Sequence, residues 1–448
     1  MRHKNKLRRV KGQVPGPKAR AVIKRTAETI SSSIARDDPL VVESAHGSMV
    51  TDVDGNRFID FSSGIAVLST GSTHPKVVAA AKKQLEKFIH FSYTDFYYEN
   101  LVTLAERVCD LVPMEGKKKV YWGNSGAEAI EAAMKLARNY TKRPIFLAHT
   151  GAFHGRTMGA LSLTASKPVQ RQGASPTVPE VVHFPFPYCY RCPWRQTFPE
   201  CDYYCVSYFK EQYLEKFVPV QDVAAYFFEP FQGEGGYVVP PPDYFTRMSF
   251  LKKEGVLMIA DEVQTGIGRS GKFFAVEHFG VEPDILCMAK GIASGFPLGG
   301  MVASSEIMDS WVPGQHASTF GANPVAVEAA LATLEVINSE RLVQNAVKMG
   351  RVAMKRFEEM KERYEIVGDV RGKGLFIGVE LVKSKKTKEM GIAESQAVTK
   401  ECFRDGLILI TAGRNTLRVI PPLNVAREEL EEGIDVMERA IAKVNSNA

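Results

Sequence analysis

Two charged residues each follow an apolar run and could do chemistry together. Lys290 comes just after Ile285-Leu286-Cys287-Met288 and opens the glycine-rich stretch GIASGFPLGG. A lysine at a strand end ordinarily carries its charge out to water. Held in a crevice, its amine can condense with a carbonyl or take up a proton. Asp261 directly follows the run Val256–Ala260, where a carboxylate needs a cation or hydrogen-bond donors to offset its desolvation. The two lie 29 residues apart, about one strand–crossover unit, so neighbouring strands could present an acid and an amine to one site. A third group, GNSGAEAIEAAMKLAR, reads as a helix start. Glu128 and Glu131 stand near its beginning, Lys135 and Arg138 near its end, which is the order the helix dipole favours. Backbone N–H groups at Gly126 and Ala127 can approach an anion there, and a phosphate is the natural guest.

With the aromatic Phe153, these pieces fit pyridoxal 5′-phosphate. That cofactor has an aldehyde that condenses with a lysine, a ring nitrogen that wants an acidic partner, and a phosphate that suits a helix N-terminus. Lys290 then reads as the Schiff-base lysine, and the glycines after it allow close packing.

Such groups need a scaffold. Short apolar runs alternate with helical patterns through the middle of the chain, the signature of an α/β sheet with crossovers. Val120–Trp122, Ile145–Ala148, Ala224–Phe228, Val256–Ala260 and the run before Lys290 each lead at once into glycines and polar residues. In an open α/β sheet the ligand sits beyond the carboxyl ends of the strands, so five such ends imply one shared site. Beyond residue 325 long amphipathic stretches precede short strand-like runs, which suggests a smaller α+β domain. The expected organisation is an arm and contributing segment over 1–60, a large domain over 61–330 and a small domain over 331–448. Asp54-Gly55 signals a tight hairpin within the first segment.

The sequence resembles the class III aminotransferases, pyridoxal-phosphate enzymes of fold type I, from about residue 35 onward. The 4-aminobutyrate aminotransferases are the most similar subgroup. The resemblance rests on eight collinear motifs: GIAVLSTGSTHPKVVAA, NSGAEAIEAAMKLAR, FHGRT, EPFQGEGG, DEVQTGIGRSGKFFA, PDILCMAKGIASGFPLGG, STFGANPVA and DVRGKGLFIGVEL. It implies a mixed, mostly parallel seven-stranded sheet between helices, plus the smaller domain. It also implies roles for particular residues. Lys290 holds the cofactor and moves the proton, and Asp261 pairs with the ring nitrogen. Val263 and Phe153 cover the two ring faces, His154 belongs to the same cofactor set, and Gln264 contacts the ring oxygen. Gly126, Ala127 and Thr319 bind phosphate, Thr319 reaching in from a neighbouring subunit, so a homodimer with shared active sites is expected.

For the substrate, the resemblance assigns Arg156 to the distal carboxylate and Arg418 to an α-carboxylate, with Glu234 as the removable partner of Arg418. A donor with a terminal amine lets Glu234 neutralise Arg418; 2-oxoglutarate requires Glu234 to release it. Ile65 matches the apolar residue that 4-aminobutyrate enzymes place along the donor, where ornithine aminotransferases carry a tyrosine. The expected reaction is transfer of the amino group of 4-aminobutyrate to 2-oxoglutarate, giving succinate semialdehyde and glutamate. Alternatives are an ornithine, acetylornithine or lysine ω-aminotransferase, and an amino-acid racemase using the same Lys290. A silent interaction protein would not need the intact Lys290 and Asp261.

Charge narrows the partners. The chain has 57 basic and 51 acidic residues, but ten of the basic ones fall within residues 1–25, which contain no acid. The rest carries 47 basic against 51 acidic residues, so no basic face for nucleic acid is expected on the body. The tail could touch an acidic partner or membrane surface; a solvated, partly ordered arm is the plainer reading. No run approaches the roughly 20 apolar residues of a membrane span, and no apolar stretch follows the basic start as in a secretory signal, so a cytoplasmic enzyme is expected. One motif lies outside the resemblance. Cys189, Cys192, Cys201 and Cys205 form C-x2-C-x8-C-x3-C in a proline- and aromatic-rich stretch. Structural zinc, an iron–sulfur cluster, disulfides and plain packing are all open to them, whereas Cys109, Cys287 and Cys402 read as core.

Overall fold

The computed structural model describes residues 7–446. Its centre is a seven-stranded sheet of β1 (Lys118–Gly123), β2 (Ile145–His149), β3 (Val181–Phe184), β4 (Val223–Phe228), β5 (Leu257–Asp261), β6 (Ile285–Met288) and β7 (Gly299–Ser304). The spatial order is β1-β7-β6-β5-β4-β2-β3. Pairing is parallel from β3 through β2, β4 and β5 to β6, while β7 runs antiparallel to both β6 and β1. Strands β2, β4, β5 and β6 are buried along their whole length. That is why each reads as an unbroken apolar run rather than an alternating one.

The helix Gly126–Thr141 lies against this sheet with Ala129, Ile130, Ala132, Ala133, Met134, Leu136 and Ala137 buried. Its alanines let helix and sheet approach closely while favouring the helix intrinsically. Ser125 caps it, its Oγ accepting from the Glu128 N–H at 3.2 Å.

Helices Pro324–Ser339 and Leu342–Arg363 lead into a second sheet, all antiparallel, ordered Val367–Lys373, Phe376–Leu381, Thr416–Val419, Ile410–Ala412. Position 331, the expected start of the small domain, lies within the first of these helices. A third sheet joins the two chain ends: Val42–His46, Met49–Asp52 and Arg57–Asp60 pair antiparallel, and Arg57–Asp60 pairs in parallel with Leu407–Ile408. Asp54-Gly55 does turn a hairpin there, with Gly55 at φ +81°.

The basic arm is more firmly held than a solvated tail. Residues 1–6 lie outside the described residues, but Arg8 is only 6% exposed and pairs with Asp405 and Glu432. Arg9 pairs backbone to backbone with Arg57. The Asp54 carboxylate accepts the N–H groups of Lys18 and Ala19 at 3.0 and 2.9 Å, closing the open N-terminus of helix Pro17–Thr29. Carboxylates of the body thus anchor the arm at Arg8 and at the start of its helix, which a count of charges along the sequence does not reveal. Among the described residues no helix is long and apolar enough to cross a membrane.

Candidate active site

The ends of β1, β2, β4, β5 and β6 open on one cavity of about 350 Å³. The parallel register makes this inevitable for the central pair. Asp261 stands opposite Cys287, so the ends of β5 and β6 are level and Lys290 emerges beside the carboxylate. Phe228 likewise pairs with Ala260, which sets Glu229 next to Asp261 at the end of β4. The loop after β2 brings in Phe153 and His154, and β1 delivers Asn124, Ser125, Gly126 and Ala127.

Nine expected residues line the cavity together: Gly126, Ala127, Phe153, His154, Glu234, Asp261, Val263, Gln264 and Lys290. Arg418 reaches it from the second sheet by pairing with Glu234. Three do not line it. Thr319 is exposed, Ile65 is 49% exposed, and Arg156 is exposed with its guanidinium 5.8 Å from the centre of the Phe153 ring. Ile65 belongs to a turn, Ser63–Ala66, whose four residues all have positive φ. That is a costly backbone for a β-branched side chain.

Asp261 is 4% exposed and well provided with donors. The Val263 N–H donates to it at 3.0 Å and His154 Nδ1 lies 2.7 Å from its other oxygen. Burial disfavours a charged His154, but the bond and charge of Asp261, with the charge of Glu229, outweigh it and raise its pKa. His154 Nε2 is buried with no partner among the described residues. The raised pKa favours a protonated His154 against the Asp261 carboxylate, both in the lining of the cavity.

Lys290 sits at φ +46°. Burial brings its amine down to about 8, against the opposing pull of Asp261. That brings the neutral amine, which a nucleophile or base requires, closer to reach near neutrality. Gln264 Oε1 accepts from the Tyr237 hydroxyl at 2.7 Å, which leaves its amide N–H groups as donors. At Gly126 a Cβ would come within 2.8 Å of Val263, so only glycine lets the helix start and Val263 stand side by side.

At the far side, Glu234 bridges two cations, Arg418 and Lys167, the latter at 2.7 Å. Burial alone would raise its pKa; the two cations prevail and hold it below the ordinary value. Arg418 Nε also donates to the Thr411 carbonyl at 2.6 Å.

Two residues escape the sequence reading. Glu229 is buried, accepts from the Phe153 and Gly233 N–H groups at 3.2 Å each, and is pushed up to about 7 chiefly by burial. Its signal was available, because it directly follows an apolar run just as Asp261 does. Lys167 had none: it lies in an ordinary polar stretch, and only folding brings it to Glu234. The four clustered cysteines stand apart as free thiols around a separate cavity of about 20 Å³. Among the described residues no three His, Cys, Asp or Glu side chains converge as an assembled metal site.

The residues present fit pyridoxal phosphate. A helix start is kept clear by Gly126, a buried carboxylate faces the same space, and an amine of lowered pKa stands beside it. Comparison with known proteins agrees. Residues 32–441 match the family model Aminotransferase class-III. A leucine/methionine racemase of Thermococcus litoralis is 44% identical, covering 91% of each chain. A 4-aminobutyrate aminotransferase of Mycobacterium leprae is 38% identical, covering 96% of this chain and 97% of its own. The crystal structure of an amine transaminase from an uncultivated Pseudomonas species, in its PLP-bound form, superposes with a TM-score of 0.85 at 33% identity. It covers 93% of this chain and 98% of its own.

Proposed function

Because the chain belongs to the class-III aminotransferases, we propose that it transfers the amino group of an ω-amino donor, 4-aminobutyrate foremost, to 2-oxoglutarate. The observation that carries this reading is Glu234 seated on Arg418. A donor whose reacting carbon bears no carboxylate needs that arginine neutralised. An oxo acid needs it free, because a guanidinium binds a carboxylate bidentately. A removable carboxylate meets both demands.

Pyridoxal phosphate, when bound, supplies an aldehyde for the amine and an electron-withdrawing ring. The chain's own groups do the rest. Gly126 and Ala127 offer N–H groups to phosphate at a helix start, and Val263 and Phe153 confine the ring. Asp261, its charge shared with His154, keeps a positive charge favoured at the bottom of the site. Lys290 Nζ, partly neutral, takes the proton from the carbon bearing nitrogen and returns it elsewhere. Arg156 serves a distal carboxylate and Ile65 the donor's methylenes once the site is complete. We place Thr319 in the site of a neighbouring copy. Its exposure, next to Phe320 at 65%, supports a homodimer.

A second reading is favoured by a specific observation: the racemase is more similar to this chain than the mycobacterial aminotransferase is. Lys290 could return the proton to the opposite face of an α-carbon. The separating experiment is a spectrum of the holoenzyme with 4-aminobutyrate and no oxo acid. Lasting bleaching of the cofactor's visible band supports transamination of that donor. An unchanged band, with conversion of an L-amino acid to its D-form, replaces it with racemisation.

A further inference from the structure

Glu234 has two cationic partners, and the proposed reaction uses only Arg418. The second is Lys167, whose Nζ lies 2.7 Å from Glu234 Oε1, while Arg418 Nη2 holds Oε2. Each cation has its own carboxylate oxygen, so one pairing can open without breaking the other.

The backbone around the cavity sets Lys167 in place. Two residues before it, the Ala165 N–H donates to the Ala152 carbonyl at 2.8 Å, and the Gly151 N–H donates to the Ala165 carbonyl at 3.0 Å. Thr164 Oγ1 accepts from the His154 N–H at 2.9 Å. Lys167 therefore leaves from the same layer of chain that carries Phe153 and His154. The Glu234 loop lies against this layer from the other side. Gln232 Nε2 donates to the Thr150 carbonyl at 3.0 Å, and a Cβ at Gly235 would run into the Gly151 carbonyl.

Opening the Glu234–Arg418 pair leaves each member in a different position. The Arg418 side chain, 7% exposed, keeps the Thr411 carbonyl and the Tyr237 ring, whose centre is 5.9 Å away. Among the described residues Glu234 is paired with no side chain but Arg418 and Lys167. A largely buried carboxylate left without a partner is the costly product of breaking such a pair. Net charge points the same way. Arg418 and Glu234 by themselves are neutral together and would turn negative as a carboxylate entered. With Lys167 the ionised trio carries one positive charge, which the incoming carboxylate cancels.

We propose that Lys167 is a positioning residue for the oxo-acid half of the reaction: it keeps Glu234 paired while an α-carboxylate holds Arg418. This rests on the reading of Glu234 as the removable partner of Arg418. Arg418 exchanges one carboxylate for another, and the displaced one stays neutralised on Lys167.

The test is calorimetric binding of glutarate to the full-length holoenzyme. Glutarate has the two carboxylates of 2-oxoglutarate and no oxo group to react. Lys167→Met should weaken it about tenfold, and Lys167→Arg, which keeps the charge, should restore it to within about twofold. The Lys167 side chain is 30% exposed, so solvent screens its direct pull on an anion. In an E234Q background, where no carboxylate is displaced, adding K167M should therefore cost less than about twofold. E234Q alone should bind glutarate severalfold more tightly than wild type. Two results overturn the inference while leaving the reading of Glu234 intact. One is an unchanged affinity in K167M. The other is an equal loss with and without Glu234, which would make Lys167 a general attractor of anions. If E234Q binds no more tightly than wild type, the reading of Glu234 as a removable partner fails and the inference falls with it.

Discussion

The two cavities differ in how they are made and in how their charge is balanced. The larger is assembled from five strand ends that lie far apart in sequence, and two of its carboxylates sit against basic side chains: Asp261 against His154, Glu234 against Arg418 and Lys167. The smaller comes from one stretch of 17 residues, Cys189 to Cys205, and its thiols have no opposing charge among them. A site that must bind and release small charged molecules carries its counter-ions with it.

Changes to the larger cavity should break this contrast in order of how directly each group handles charge. Lys290→Ala should cost the most, on the order of 10³-fold or more in turnover, measured by steady-state kinetics. Near-normal activity would remove Lys290 from the chemistry. Asp261→Asn should lower kcat by roughly 10²–10³-fold while cofactor still binds. It should also let the His154 pKa fall, because Asp261 is what raises it against burial; histidine NMR titration reads this directly. Glu234→Ala should leave Arg418 uncapped. The ratio of kcat/KM between donors with an α-carboxylate and 4-aminobutyrate should then rise about tenfold to a hundredfold. An unchanged ratio would make the pair merely structural.

The smallest effect sharpens the comparison through pH. The Glu229 carboxyl is raised from 4.5 to about 7 in the fold, so the folded chain binds more protons than the unfolded one between those values. Its contribution to stability is present at low pH and is lost as pH rises through about 7. Glu229→Gln carries no such loss. In the apoprotein the melting temperature of the variant relative to wild type should climb between pH 5 and pH 8, on the order of 1–2 °C. A difference that falls over that interval would mean Glu229 is ionised and paired in the fold.

Much of the site could be read before folding because the fold class dictates where chemistry sits. A parallel strand buried on both faces must be a continuous apolar run, and its carboxyl end must open on the crevice. Asp261 and Lys290 were therefore legible from position alone, and the helix start at Gly126 from its glycine and charge order. Glu229 obeys the same rule, but Glu234 in the same EPFQGEGG stretch masks its signal. Lys167 obeys no local rule, since its partner lies 67 residues away and the pairing exists only after folding. Charge counting likewise placed the basic arm in solvent, whereas Arg8 finds its carboxylates more than 390 residues later, at Asp405 and Glu432.

By itself the sequence determined the sheet, the strand ends that carry acid and amine, and the family to which their order belongs. These follow from local polarity and periodicity, which act over a few residues. The tertiary structure alone decided which charges meet: Glu234 between Arg418 and Lys167, and His154 against Asp261. Electrostatic partners are chosen by distance after folding. That distance depends on register, crossover and loop path, which no single stretch of sequence encodes.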